Sequence, residues 1–185
     1  MMEEQELAEQ CLRGDNRARQ QLYERYAAHL YGICLRYVSD RDTAQDLLHD
    51  GFLHIFRSMD KFQWRGPGSL GAWMDRVMVN QLLQYLRKEQ PVERVEYLEQ
   101  LPDVEDEADC TLAEAVPPEV VMELVRQLPT GYRSVFNLYV VEGKSHREIA
   151  SLLGIREKSS ASQLARAKSV LAQGIRRWME ENGTK

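Results

Sequence analysis

An all-α fold of two small helical domains joined by a flexible linker is what this sequence predicts, on three observations. Apolar residues recur at steps of three or four in the first half of the chain, and nothing there alternates as a strand does. A strip rich in acids and proline interrupts that pattern past the middle. Towards the C-terminus two capped helical patterns flank a tight glycine turn, as in a helix-turn-helix.

Charge divides the chain at the same places. Residues 1–88 carry 12 Lys/Arg and 12 Asp/Glu, residues 89–118 carry 1 and 10, and residues 119–185 carry 11 and 7. The overall net charge of −5 therefore conceals a basic C-terminal unit behind an acidic strip. The expected domains are 1–90 and 119–185, with 91–118 as the linker. Pro102, Pro117 and Pro118 and the mutual repulsion of its acids leave that segment unable to build a core. Its alternative reading is an acidic arm that imitates DNA and folds back on the basic unit. No apolar run reaches the length of a membrane span, and the opening MMEEQELAEQ lacks the form of a secretion signal, so a cytosolic protein without membrane insertion is expected. Cys11, Cys34 and Cys110 are odd in number and form no CxxC pair, which argues against disulfides or zinc.

Taken in order, a first short helix ends at Gly14, and Asp15 caps a second with Ala18, Leu22, Tyr26, Leu30, Ile33 and Tyr37 inward. Asp40 caps a third, whose apolar face is Ala44, Leu47, Leu48, Gly51, Phe52, Ile55 and Phe56. Its opposite face is polar and acid-rich: Asp42, Gln45, Asp46, His49 and Asp50. The loop KFQWRGPGS (61–69) follows, with Ser69 as the expected cap of a fourth helix over about 70–88. That helix packs Leu70, Trp73, Met74, Val77 and Met78 and turns Arg76, Asn80, Gln84, Arg87 and Lys88 outward. In the basic unit a short helix precedes Leu128-Pro129, Thr130 caps the next, and Ser145 with Glu148 forms a capping box. Gly154 makes the turn into a long final helix carrying Leu164, Leu171, Ile175 and Trp178 on one side.

Three stretches in this order resemble the extracytoplasmic-function sigma factors, the small two-domain branch of the sigma-70 family. LYERYAAHLYGICLRYVSDRDTAQDLLHDGFLHIF resembles the polymerase-binding region, and GSLGAWMDRVMVNQLLQYLRK the helix that reads and melts the −10 element. LPTGYRSVFNLYVVEGKSHREIASLLGI with QLARAKSVL resembles the −35 domain. The resemblance implies a promoter-specific initiation factor that binds core RNA polymerase and promoter DNA, is controlled by an anti-sigma factor, and needs no cofactor or catalytic residue.

Carried over position by position, it assigns Asp42, Gln45, Asp46, His49 and Asp50 to polymerase. Phe62, Trp64, Arg65, Arg76, Asn80, Gln84, Arg87 and Lys88 go to −10 DNA. His146, Arg147, Arg156, Lys158, Ser159, Ser162, Gln163 and Arg166 go to −35 DNA. Lys158 and Arg166 suit phosphates, and Ser159, Ser162 and Gln163 suit base edges. Aromatic faces in the loop suit the stacking of an unpaired base, which would drive melting by binding without ATP. Two positions depart from the family pattern: Arg156 stands where a Ser-like cap is usual and Ser160 where a buried Val is common.

Two rival readings are weaker. Asp46, His49, Asp50 and His54 share one helix, but no other helix supplies matching ligands for a metal site. A dimeric repressor or response regulator would use the helix-turn-helix, yet the first half lacks a receiver's alternation of strand and helix.

Overall fold

The computed structural model describes residues 2–89 and 114–183. The expected linker therefore lies outside the described residues as far as 113. The chain divides into two compact units, Met1–Tyr85 and Leu86–Lys185, and every described element is helical.

In the first unit α1 (Glu4–Leu12), α2 (Asn16–Tyr37), α3 (Arg41–Arg57), a 3₁₀ turn (Met59–Lys61) and α4 (Ser69–Glu89) follow one another. The final turn of α4 runs past the unit boundary. The starts of α2 and α3 form as their sequences dictate. Asp15 accepts the Ala18 amide at 2.7 Å, and Asp40 accepts the amide of Thr43 at 2.7 Å and its hydroxyl at 2.6 Å, which satisfies amides that the helix itself leaves unpaired.

The core is the inward stripe of each helix: Leu7 and Cys11 on α1, Leu22, Leu30 and Ile33 on α2, Leu48, Phe52 and Ile55 on α3, and Leu70, Met74 and Met78 on α4. Each such side chain, taken out of water, contributes roughly 1.5–3 kcal/mol before ordering costs. Gly51 lets α3 approach α4 closely, because a Cβ there would overlap the end of the Met78 side chain. On its other side Met78 meets Cys34 of α2, sulfur to sulfur, at 3.7 Å. Burial raises both described thiols, Cys11 to about 11 and Cys34 to about 12, so neither is a reactive thiolate near neutral pH.

The second unit holds α5 (Pro118–Gln127), α6 (Thr130–Phe136) continued by a π-helical turn (Asn137–Val141), α7 (His146–Leu153) and α8 (Glu157–Glu181). Val125, Leu128, Tyr132, Ala167 and Leu171 form its core. Val116, inside the segment expected to be linker, is buried too. The capping box forms as expected, with the Glu148 amide donating to Ser145 Oγ at 3.3 Å and the Ser145 amide to Glu148 at 2.9 Å. Gly154 closes α7 in the left-handed region at φ 69°, where a side chain would be strained.

Two expected caps are corrected. Thr130 is the first residue of α6, and the flanking Pro129 makes no side-chain cap. Ser69 is likewise the first residue of α4, and its hydroxyl accepts the Arg65 amide at 3.2 Å. The start of α4 is instead capped by Glu4 of α1. Its carboxylate accepts the amides of Gly68 at 2.6 Å, Leu70 at 3.1 Å and Gly71 at 3.3 Å. Neighbouring residues cannot announce such a long-range cap.

Candidate nucleic-acid and polymerase interfaces

The α3 period that buries Leu47, Leu48 and Phe52 leaves Asp42, Gln45, Asp46, His49 and Asp50 exposed on the opposite face. Along α4 the same logic exposes Arg76, Asn80, Gln84, Arg87 and Lys88. The Arg76 side chain donates back to the Ala72 carbonyl at 3.2 Å, which lays it along the helix. Asp75, beside this stripe, is paired with His29 of α2 at 2.9 Å.

Between α3 and α4 the two polar faces meet at a depression of about 450 Å3, lined by Asp50, Leu53, His54, Arg57, Asn80 and Gln84 among others. The loop before α4 separates its two aromatics. Phe62 is half-buried against Trp73, ring centroids 5.5 Å apart, whereas Trp64 is 36% exposed and Arg65 lies open to solvent. Phe62 thus supports the loop, and Trp64 is the more exposed of the two.

In the second unit Arg156 occupies the N-cap position of α8, and its side chain, which cannot accept an amide, makes no cap. Arg147, Arg156, Lys158 and Ser162 are exposed, and His146, Ser159 and Arg166 are half-buried. Gln163 corrects the expectation of a base-reading residue. It is 1% exposed, on the inward side of α8 with Ser160, Leu164 and Ala167, and its amide oxygen and nitrogen have no hydrogen-bond partner among the described residues.

Ser160, fully buried, lies 3.0 Å from His146 Nδ1. The His146 ring stacks on Tyr139 at 4.6 Å between centroids. The serine that departs from the family pattern is therefore satisfied by a partner fourteen residues earlier and anchors α8 to the start of α7. Periodicity alone did not single out Ala161 and Ala165, exposed on the outer face of α8, or the exposed apolar run Tyr139, Val140 and Val141 on the π-helical turn. Among the described residues no cluster of three or more His, Cys, Asp or Glu could hold a metal, and no helix is long and apolar enough to cross a membrane.

A capped helical bundle bearing an acidic face and an aromatic loop, with a helix-turn-helix unit after it, is an arrangement suited to a DNA-binding protein. Comparison with known proteins narrows this class. The Sigma-70 region 2 model matches residues 22–92 and the Sigma-70 region 4 model residues 119–171. The RNA polymerase sigma-H factor of Pseudomonas aeruginosa is 26% identical, across 97% of each chain. The ECF RNA polymerase sigma-E factor of Haemophilus influenzae is 25% identical, over 93% of this chain and 95% of its own. Among solved structures, CnrH in complex with the cytosolic domain of CnrY is 24% identical over 90% of this chain and 93% of that one, with a TM-score of 0.46. The chain belongs to the sigma-70 family, in its extracytoplasmic-function branch. It is a promoter-directing initiation factor and not an enzyme.

Proposed function

We propose a division of labour among four surfaces. The exposed face of α3, Asp42 to Asp50, docks on core RNA polymerase, where complementary charge speeds encounter and fixes orientation. Trp64 stacks a base released from the opening −10 element, Arg65 and the α4 stripe of Arg76, Asn80, Gln84, Arg87 and Lys88 hold that strand, and Phe62 braces the loop. Stacking contributes roughly 1–3 kcal/mol per base, comparable with the few kcal/mol that unstacking costs, so capture can drive melting without nucleotide hydrolysis.

The start of α8 enters the major groove at the −35 element. Arg147, Arg156, Lys158 and Arg166 meet phosphates, His146 sits beside them, and Ser159 and Ser162 face base edges. Ala161 and Ala165 are small enough for close approach and suit a thymine methyl. Each contact is modest alone. Polymerase makes the pair strong by holding both units at one spacing. Family membership further implies an anti-sigma partner that holds the factor inactive, and a cytoplasmic location, where the polymerase works.

The observation that carries this reading is the disposition of the first unit. The acidic face of α3 and the polar stripe of α4 are both exposed and adjoin at the depression that Asp50, Asn80 and Gln84 line. Native-gel binding to bacterial core RNA polymerase, followed by run-off transcription from a promoter library, tests it. One factor per polymerase, starting transcripts downstream of a shared pair of motifs, is expected. A protein that ignores polymerase and binds duplex DNA as a dimer overturns it.

A further inference from the structure

We infer that Glu4 is a positioning residue for strand capture: its carboxylate, delivered by α1, fixes the loop and the first turn of α4 in the pose that opening DNA meets. The inference rests on the reading of loop 62–68 as the −10 surface. Glu4 lies ahead of the stretch matched by Sigma-70 region 2, which begins at residue 22.

The geometry is specific. Glu4 is only 8% exposed, and glutamates are rarely so buried unless their charge is satisfied. Here Oε2 accepts the Gly68 amide, while Oε1 accepts the amides of Leu70 and Gly71 and, at 3.3 Å, the Tyr26 hydroxyl. Burial and the adjacent Glu4 charge both raise the Tyr26 phenol above its ordinary 10.0, so it stays a donor at neutral pH. A carboxylate at this end of a helix also meets the positive pole of the backbone dipole.

The loop bearing Trp64 and Arg65 is consequently pinned at both ends and in the middle: Phe62 on Trp73, Arg65 through its amide on Ser69, and Gly68 on Glu4. The chain between Phe62 and Gly68 has glycine at two of its last three positions and no helix of its own. Its downstream end is held by turn bonds from the Ser69 amide to the Gly66 carbonyl and from the Ala72 amide to the Gly68 carbonyl, and Glu4 supplies the side-chain anchor that ties it to α1. Pre-ordering a binding loop removes an entropic cost that would otherwise fall at the moment of capture. On this account α1 is part of the promoter-opening device.

The test uses full-length Glu4→Ala, Glu4→Gln and, as a control for α1 packing, Leu7→Ala, whose side chain is fully buried. Each is assayed as holoenzyme for core affinity and for promoter opening by permanganate reactivity of unpaired thymines. Glu4→Ala is expected to lower the opening equilibrium about tenfold, the size of a lost helix cap. Glu4→Gln, which keeps one acceptor oxygen, should lower it about threefold, with core affinity held within about twofold in both.

Leu7→Ala should lower Tm at least as much while reducing opening far less. Opening at the wild-type level in Glu4→Ala overturns the inference. So does a loss of opening per degree of Tm that is the same in Leu7→Ala as in Glu4→Ala. If the unmodified protein opens no promoter, the underlying functional reading has failed. The anchoring is then judged on the free protein by hydrogen exchange at the amides of Gly68, Leu70 and Gly71, which should quicken in Glu4→Ala and must not stay as slow as in the wild type.

Discussion

The two helices proposed to face DNA are seated in opposite ways. α4 begins under a carboxylate that arrives from α1, more than sixty residues earlier in the chain, so its pose depends on the whole first unit being folded. α8 begins at Arg156, whose side chain makes no cap, and is held within its own helix-turn-helix by the bond between His146 and Ser160 and the stacking of His146 on Tyr139. A helix start that lacks an internal cap keeps amide donors for an outside acceptor, and phosphate is the natural one. On the proposed reading the first unit uses its cap to present a loop, and the second has an N-cap residue whose side chain makes no cap and is available to DNA.

The largest effects should come from two tryptophans, Trp64 in the loop and Trp73 on α4. Trp64→Ala removes an exposed ring and should weaken capture of single-stranded −10 DNA by roughly 1–3 kcal/mol while leaving Tm nearly unchanged. Trp73→Ala removes the surface on which Phe62 rests and should lower both Tm and capture. Equal losses of Tm in the two variants, measured by calorimetry beside an oligonucleotide titration, would place Trp64 in the core and remove the loop from the DNA surface.

A second effect separates packing from reading in α8. Gln163 is buried with both amide atoms unpartnered among the described residues, so an apolar side chain of similar size should fit better than the native one. Gln163→Leu is expected to raise stability by about 1 kcal/mol, because an unsatisfied buried amide costs about 1–3 kcal/mol. Promoter affinity should hardly change. A base-specific loss of −35 binding would return Gln163 to the DNA face.

Much of the fold was readable in the sequence because its causes are local. Asp15, Asp40 and the Ser145–Glu148 box cap the helices that their positions announce, and the α2 and α3 stripes are buried in the predicted phase. The exposed acidic face of α3 and the polar stripe of α4 follow from the same periodicity. What failed depends on contacts between distant residues. Ser69 has the right chemistry for a cap, but Glu4 reaches the α4 amides and leaves Ser69 to Arg65. Gln163 looked like a reader of bases because it is polar and sits on the recognition helix. The inward side of that helix is set by its apolar stripe, Leu164, Ala167 and Leu171, whose buried face Gln163 shares.

The uncapped start of α8 yields a smaller, two-sided effect. Arg156→Ser restores a side-chain acceptor at the N-cap and should stabilise the second unit by up to about 1 kcal/mol. The same change removes a cation from the proposed DNA face, so −35 binding should weaken and its dependence on salt should become shallower by about one phosphate contact. Thermal melts and salt titrations of promoter affinity on one preparation measure both. A variant that binds DNA as the wild type does, with an unchanged salt slope, would free Arg156 from the interface.

The smallest expected effect concerns the cap of α7, which carries His146 and so sets the seat of α8. Hydrogen bonds donated by the Ser145 amide, and secondly by its hydroxyl, hold the Glu148 carboxyl below its ordinary value of 4.5. A folded-state value below the unfolded one means that this cap stabilises fully above pH 4.5 and is lost as pH falls through the lowered folded value. Glu148→Gln removes the titration and keeps an acceptor. The difference in Tm between wild type and variant should therefore be greatest near neutrality and shrink as pH drops below 4.5. A difference that stays constant through that window would mean that the carboxyl does not titrate with the fold and that α7 is held by its packing at Ile149 and Leu153 instead.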